Sequence, residues 1–156
     1  MAETKYGKYI IDELKPPAAE APWSPPLSAA GKGRGGRVLF LDSDIVPGAF
    51  YTECVWILPR PAVTPAGDSA RRVITESHVH DYDEIIAFFG TDLNDPKDLG
   101  AEVELWLDDE THIITKSSLV FVPAGLKHCP LTFLRVDRPV FHFTTGPGKM
   151  YFDNNE

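Results

Sequence analysis

From residue 37 onward the chain is a succession of short runs of β-branched and aromatic residues, each closed by glycine, proline or aspartate. Runs at 37–42 (RVLFLD), 49–58 (AFYTECVWIL), 71–78 (RRVITESH), 84–89 (EIIAFF), 101–107 (AEVELWL), 111–115 (THIIT), 119–122 (LVFV), 129–136 and 139–145 read as strands. The breaks hold Pro47-Gly48, the stretch Pro61 to Gly67, Gly90 to Gly100, Asp108-Asp109 and Pro123-Ala124-Gly125. No segment of this region keeps a helical period. Many short strands at such spacing predict an antiparallel sandwich or barrel.

Residues 1–36 differ. A short apolar-polar stretch, Tyr9 to Leu14, precedes KPPAAEAPWSPPLSAAGKGRGG, which is too rich in proline, alanine and glycine for a regular helix or a central strand. The expected organisation is an extended N-terminal arm over 1–36, with Trp23 a candidate anchor, a β-domain over 37–150 and a C-terminal tail over 151–156. The length of 156 residues suits one domain with a core of its own.

The net charge of −8, from 15 basic and 23 acidic residues, lacks the basic footprint of a phosphate-backbone binder. The one basic cluster, Lys32-Gly33-Arg34, reads as a solvated linker. Nucleic acid and membrane are therefore not expected as partners. The charged start MAETKYGKYI has no apolar core of a signal peptide, and no apolar run is long enough for a membrane helix. Cys54 and Cys129 read as free thiols, and the expected compartment is the cytoplasm.

The chemistry is concentrated in two segments. His78 and His80 stand two apart in a strand-like stretch, so their imidazoles share a face. Asp81-Tyr82-Asp83 reads as a turn, after which Glu84 opens a strand. Far along the chain, His128 follows the turn at Pro123 to Gly125. Three imidazoles and one carboxylate form a donor set suited to a divalent transition metal: Mn, Fe, Co, Ni, Cu or Zn. A His-x-His pair alone is equally at home in a surface ladder, and the specificity lies in the ordered set, His-x-His-x3-Glu-x5-Gly followed by Pro-x-Gly-x2-His.

In this pattern residues 78–90 (HVHDYDEIIAFFG) resemble the first motif of the cupin superfamily, and residues 118–128 (SLVFVPAGLKH) resemble its second. The resemblance covers roughly residues 70–145. It implies an all-β double-stranded β-helix, a jelly-roll barrel, with one metal inside held by His78, His80, Glu84 and His128. Two positions depart from the pattern. Ser117-Ser118 stands where the second motif usually opens with glycine, and Thr132 stands where an asparagine often follows the last histidine.

Strand parity extends the reading. Ile86 and Phe88 share the face of Glu84, so they are expected to form an apolar wall of the pocket. On 139–145, Val140, His142 and Thr144 share one face, and Phe141 and Phe143 the other. An inward His142 would be a base or substrate contact, and an outward one a surface or interface residue. Val103, Leu105 and Leu107 are expected in the core, with Glu102, Glu104 and Trp106 on the opposite face and His112 outside the site. Cys129 should point away from His128. Tyr51, Glu53 and Trp56 lie on an early strand whose mixed parity leaves them unassigned.

The resemblance implies chemistry on a small organic molecule. Dioxygenase-type oxidation is the leading reading, non-redox isomerase, lyase or decarboxylase chemistry the alternative, and a non-catalytic ligand- or metal-binding module the third. Exposed sheet edges and an extended arm favour a homodimer.

Overall fold

A computed structural model of the chain describes residues 4–14, 35–59 and 72–147. Trp23, the basic cluster and the tail over 151–156 lie outside them. The described residues form nine strands and one short 3-10 turn, Gly7–Tyr9. The strands are β1 (Gly36–Leu41), β2 (Tyr51–Ile57), β3 (Arg72–Thr75), β4 (Glu84–Phe89), β5 (Asp98–Leu107), β6 (Glu110–Lys116), β7 (Ser118–Val122), β8 (His128–Val136) and β9 (Val140–Gly146).

They build two antiparallel sheets, one ordered β1-β2-β9-β4-β7 and the other β3-β8-β5-β6. The pairs are nested: β5 with β6, β4 with β7, β3 with β8 and β2 with β9. A long antiparallel hairpin rolled over itself gives this order, the jelly roll. The described residues give the expected all-β jelly roll as two antiparallel sheets, and among them no ladder joins one sheet to the other.

Alternation decides what each sheet buries. On β4, Ile86 and Phe88 are fully buried while Ile85 and Phe89 reach solvent. Val103 and Leu105 from β5, Leu131 and Phe133 from β8, and Val55 and Ile57 from β2 complete one core between the sheets. Glu102, Glu104 and Trp106 alternate with that core on the half-buried outer side of β5.

Several boundaries differ from those read in the sequence. β3 ends at Thr75, and His78 lies beyond it in an isolated bridge to His128, because residues 76–83 carry the chain from one sheet to the other. β5 starts at Asp98, three residues early, where Gly100 at φ 65° and a register shift take up the irregularity. Gly90 is required for a different reason: a Cβ there would stand 2.0 Å from the carbonyl oxygen of Asp98. The β5–β6 connection is the two-residue turn Asp108-Asp109, with Asp108 at φ 52°.

Candidate metal centre

Backbone hydrogen bonds hold the two motif segments together. His78 and His128 exchange both N–H···O bonds, each at 3.0 Å. The Gly125 N–H donates to the His80 carbonyl at 2.9 Å, and the Ala124 N–H donates to Asp83 Oδ1 at 2.9 Å. Asp81 to Asp83 is therefore more than a turn, since it is fastened to the turn that precedes His128. Ser117, at the position of a motif glycine, accepts from the Gly90 N–H and donates to the Pro96 carbonyl, so its hydroxyl closes the base of both segments.

All four expected ligands come together. One ligand atom from each of His78, His80, Glu84 and His128 lies within 4.8 Å of the others, and all four residues are buried. Each histidine donates its Nδ1–H to a backbone carbonyl: His78 to Glu76 at 2.7 Å, His80 to Tyr82 at 3.0 Å and His128 to Leu126 at 2.9 Å. These bonds fix the tautomer and turn every Nε2 lone pair inward. Nε2 of His80 and of His128 stand 3.3 Å and 3.2 Å from Glu84 Oε2. Lone pairs converging on a carboxylate oxygen repel one another unless a proton or a cation lies between them. A cation satisfies all four at once, so the residues fit a divalent metal.

The surroundings act on the same carboxylate. The Tyr51 hydroxyl donates to Glu84 Oε1, leaving Oε2 for the histidines. Burial pushes the Glu84 carboxyl up, but its contacts with His128, His80 and Tyr51 outweigh it and hold the group at about 2. Burial likewise lowers His80, and Glu84 reverses the direction, leaving that imidazole raised. Tyr51 is raised, first by burial and then by the Glu84 charge, so its phenol keeps its proton. The Tyr82 ring stacks on His80 with centroids 4.1 Å apart and planes within 3°.

Ile86 and Phe88 both face inward from β4, next to Glu84. His142 also faces inward and is buried, with Phe141 and Phe143 on the other side of β9. Its Nδ1–H donates to the Ala87 carbonyl at 2.9 Å, and its ring stacks on Phe88 at 5.0 Å. Burial lowers its pKa, so it is a neutral imidazole, and it stands outside the ligand group. Cys129 is a core residue and Cys54 is half-buried. His112 lies near Glu110 on β6, away from the site.

Jelly-roll strand order and a His3Glu group built from the two motif segments now stand together. This is the jelly-roll arrangement and the ligand group that the cupin resemblance implies. Several solved cupins of low sequence identity are similar to the chain. An RmlC-like cupin from Shewanella frigidimarina is 13% identical over 77% of this chain and 82% of its own, with a TM-score of 0.46. A cupin 2 domain-containing protein from Halorhodospira halophila is 12% identical over 80% and 70%, with a TM-score of 0.46. A putative ethanolamine utilization protein, EutQ, from Salmonella typhimurium is 14% identical over 81% and 79%, with a TM-score of 0.42. No protein-family model and no curated protein matches the sequence. The strand order and the ligand group themselves carry the resemblance. No helix among the described residues is long and apolar enough to cross a membrane.

Two residues escaped sequence reasoning. Tyr51 stands far ahead of the motifs, and its inward direction is recoverable only from parity with Val55 and Ile57. Tyr82 sits between the ligands, where a turn was the only role evident.

Proposed function

We propose that this chain is a cupin-type, metal-dependent enzyme acting on a small organic molecule by dioxygenase-type chemistry. The observation that carries the reading is a buried His3Glu donor set beside an apolar wall of Ile86 and Phe88. Three neutral nitrogens and one carboxylate suit a redox-active divalent metal and leave coordination positions for substrate. Bound there, such a metal supplies one-electron chemistry toward dioxygen or Lewis acidity toward an oxygen of the substrate. The protein's own part is to orient the ligands through Glu76, Tyr82 and Leu126 carbonyls, to hold Glu84 through Tyr51, and to keep water away with Phe88 and Ile86. An apolar lining favours dioxygen over water.

A second reading, non-redox isomerase or lyase chemistry, is supported by Tyr51. Its protonated phenol on Glu84 places a proton beside the metal group, which proton-transfer chemistry uses and oxygen insertion does not require. Oxygen uptake and product formation against a panel of organic acids, phenols and diketones separate the two. Turnover that needs oxygen supports the first reading. Turnover unchanged under argon replaces it with the second, and no turnover with any metal leaves a binding module.

A further inference from the structure

The inner face of the first sheet is unusually polar along one stripe. Arg37 on β1, Glu53 on β2, and Thr144 and His142 on β9 lie between the sheets, in rows that reach β4 beside Glu84. The facing strands contribute Val103, Leu105, Leu131 and Phe133, all apolar. A core built only for stability does not need this stripe, because each buried charge costs solvation that an apolar residue does not.

Arg37 is the most informative member. It is 1% exposed, and its guanidinium is charged at any relevant pH. Its Nε–H donates to Glu53 Oε1 at 2.7 Å, and its Cζ lies 5.9 Å from the Phe40 ring centroid. Among the described residues the two terminal nitrogens, Nη1 and Nη2, have no hydrogen-bond partner. A guanidinium committed to a structural ion pair commonly offers two parallel N–H groups to both carboxylate oxygens. Here Glu53 takes the Nε–H, and the terminal N–H groups remain for something else.

We propose that the Nη1/Nη2 end of Arg37 anchors the carboxylate of a small monoanionic organic acid bound between the sheets. The planar group matches a carboxylate in two-pronged geometry. The Phe40 ring beside the guanidinium disfavours a doubly charged phosphate. The substrate class rests on the metal-enzyme reading, whereas the anion site itself stands on Arg37 alone.

The test uses the full chain stripped of metal by chelation, with calorimetric titration of benzoate, its neutral counterpart benzamide, and inorganic phosphate. Benzoate is expected to bind about tenfold or more tighter than benzamide and phosphate. Arg37→Met should remove that preference. Because it strands Glu53 as a buried charge, the double variant Arg37→Met/Glu53→Gln is measured beside it. Glu53→Gln alone should raise benzoate affinity severalfold, since it frees the guanidinium charge, whereas a purely structural pair predicts lost stability and no gain in binding. Equal binding of benzoate and benzamide, a preference for phosphate, or no benzoate binding at about 10 mM overturns the proposal. Repeating the titration with metal restored separates the two claims. Benzoate binding that needs metal and ignores Arg37 overturns the anchor and leaves the metal centre standing. Arg37-dependent binding in a chain that takes up no metal does the reverse.

Discussion

The Tyr51 hydroxyl donates to the oxygen of Glu84 that the histidines do not face. One phenol on β2 thereby sets the rotation of a carboxylate on β4 and turns its other oxygen toward His80 and His128. Tyr51→Phe removes the donor and keeps the ring. Metal affinity should fall about 10-fold or more, in line with other partners of metal ligands. Competition with a chelator measures it, and an unchanged affinity would mean that Glu84 is oriented without Tyr51.

The carboxylate–imidazole pair also predicts how the metal-free protein responds to pH. Glu84 is held at about 2 against an ordinary 4.5, so its contribution is present above about 4.5 and is lost as pH falls toward 2. His80 is raised above 6.5, so its contribution is complete below that value and is lost as pH rises through the raised one. Both describe one interaction, on the order of 2–3 kcal/mol, and are not summed. Thermal unfolding of metal-free protein should therefore be hardest between about pH 4.5 and 6.5. Glu84→Gln should flatten both limbs, and a wild-type profile retained in that variant would contradict the assignment.

Phe88 is a core side chain, stacked on His142 and edge-on to Phe133 at 6.1 Å. Phe88→Ala should cost about 3–5 kcal/mol in chemical denaturation. Phe88→Leu should cost less than half of that and enlarge the space beside the metal group. A loss below about 1 kcal/mol for alanine would show that the position collapses readily.

The ligand set was legible because its residues stand in two compact segments whose spacing survives folding. The strand ends were less legible. His78 looked like the end of a strand, but the chain there is crossing between sheets and pairs only with His128. Tyr51 was hidden for a different reason. On β2 the charged Glu53 lies on the inward face with Val55 and Ile57 while the uncharged Cys54 and Trp56 face outward, so polarity does not mark the direction of the side chains. His142 was ambiguous for the same cause, since its Phe141 and Phe143 neighbours form the uncharged outer face rather than the core. Arg37 carried no signal, because an arginine opening an edge strand ordinarily reaches solvent.

Substituting glutamine for Glu84 keeps its size and removes one negative charge. At matched metal content the metal would be harder to oxidise and a stronger Lewis acid. Oxygen-dependent turnover should fall by about 100-fold or more. Oxygen-independent turnover retained in the variant would instead identify proton-transfer chemistry.

The central claim is the metal itself. Elemental analysis of protein expressed in rich medium and purified without chelator or added metal should find about one transition-metal ion per chain. The double variant His78→Ala/His128→Ala, folded by circular dichroism, should fall to background. Wild-type stoichiometry in that variant, or wild-type protein that takes up no metal even when offered Fe, Mn, Ni, Co, Cu and Zn, would contradict the account.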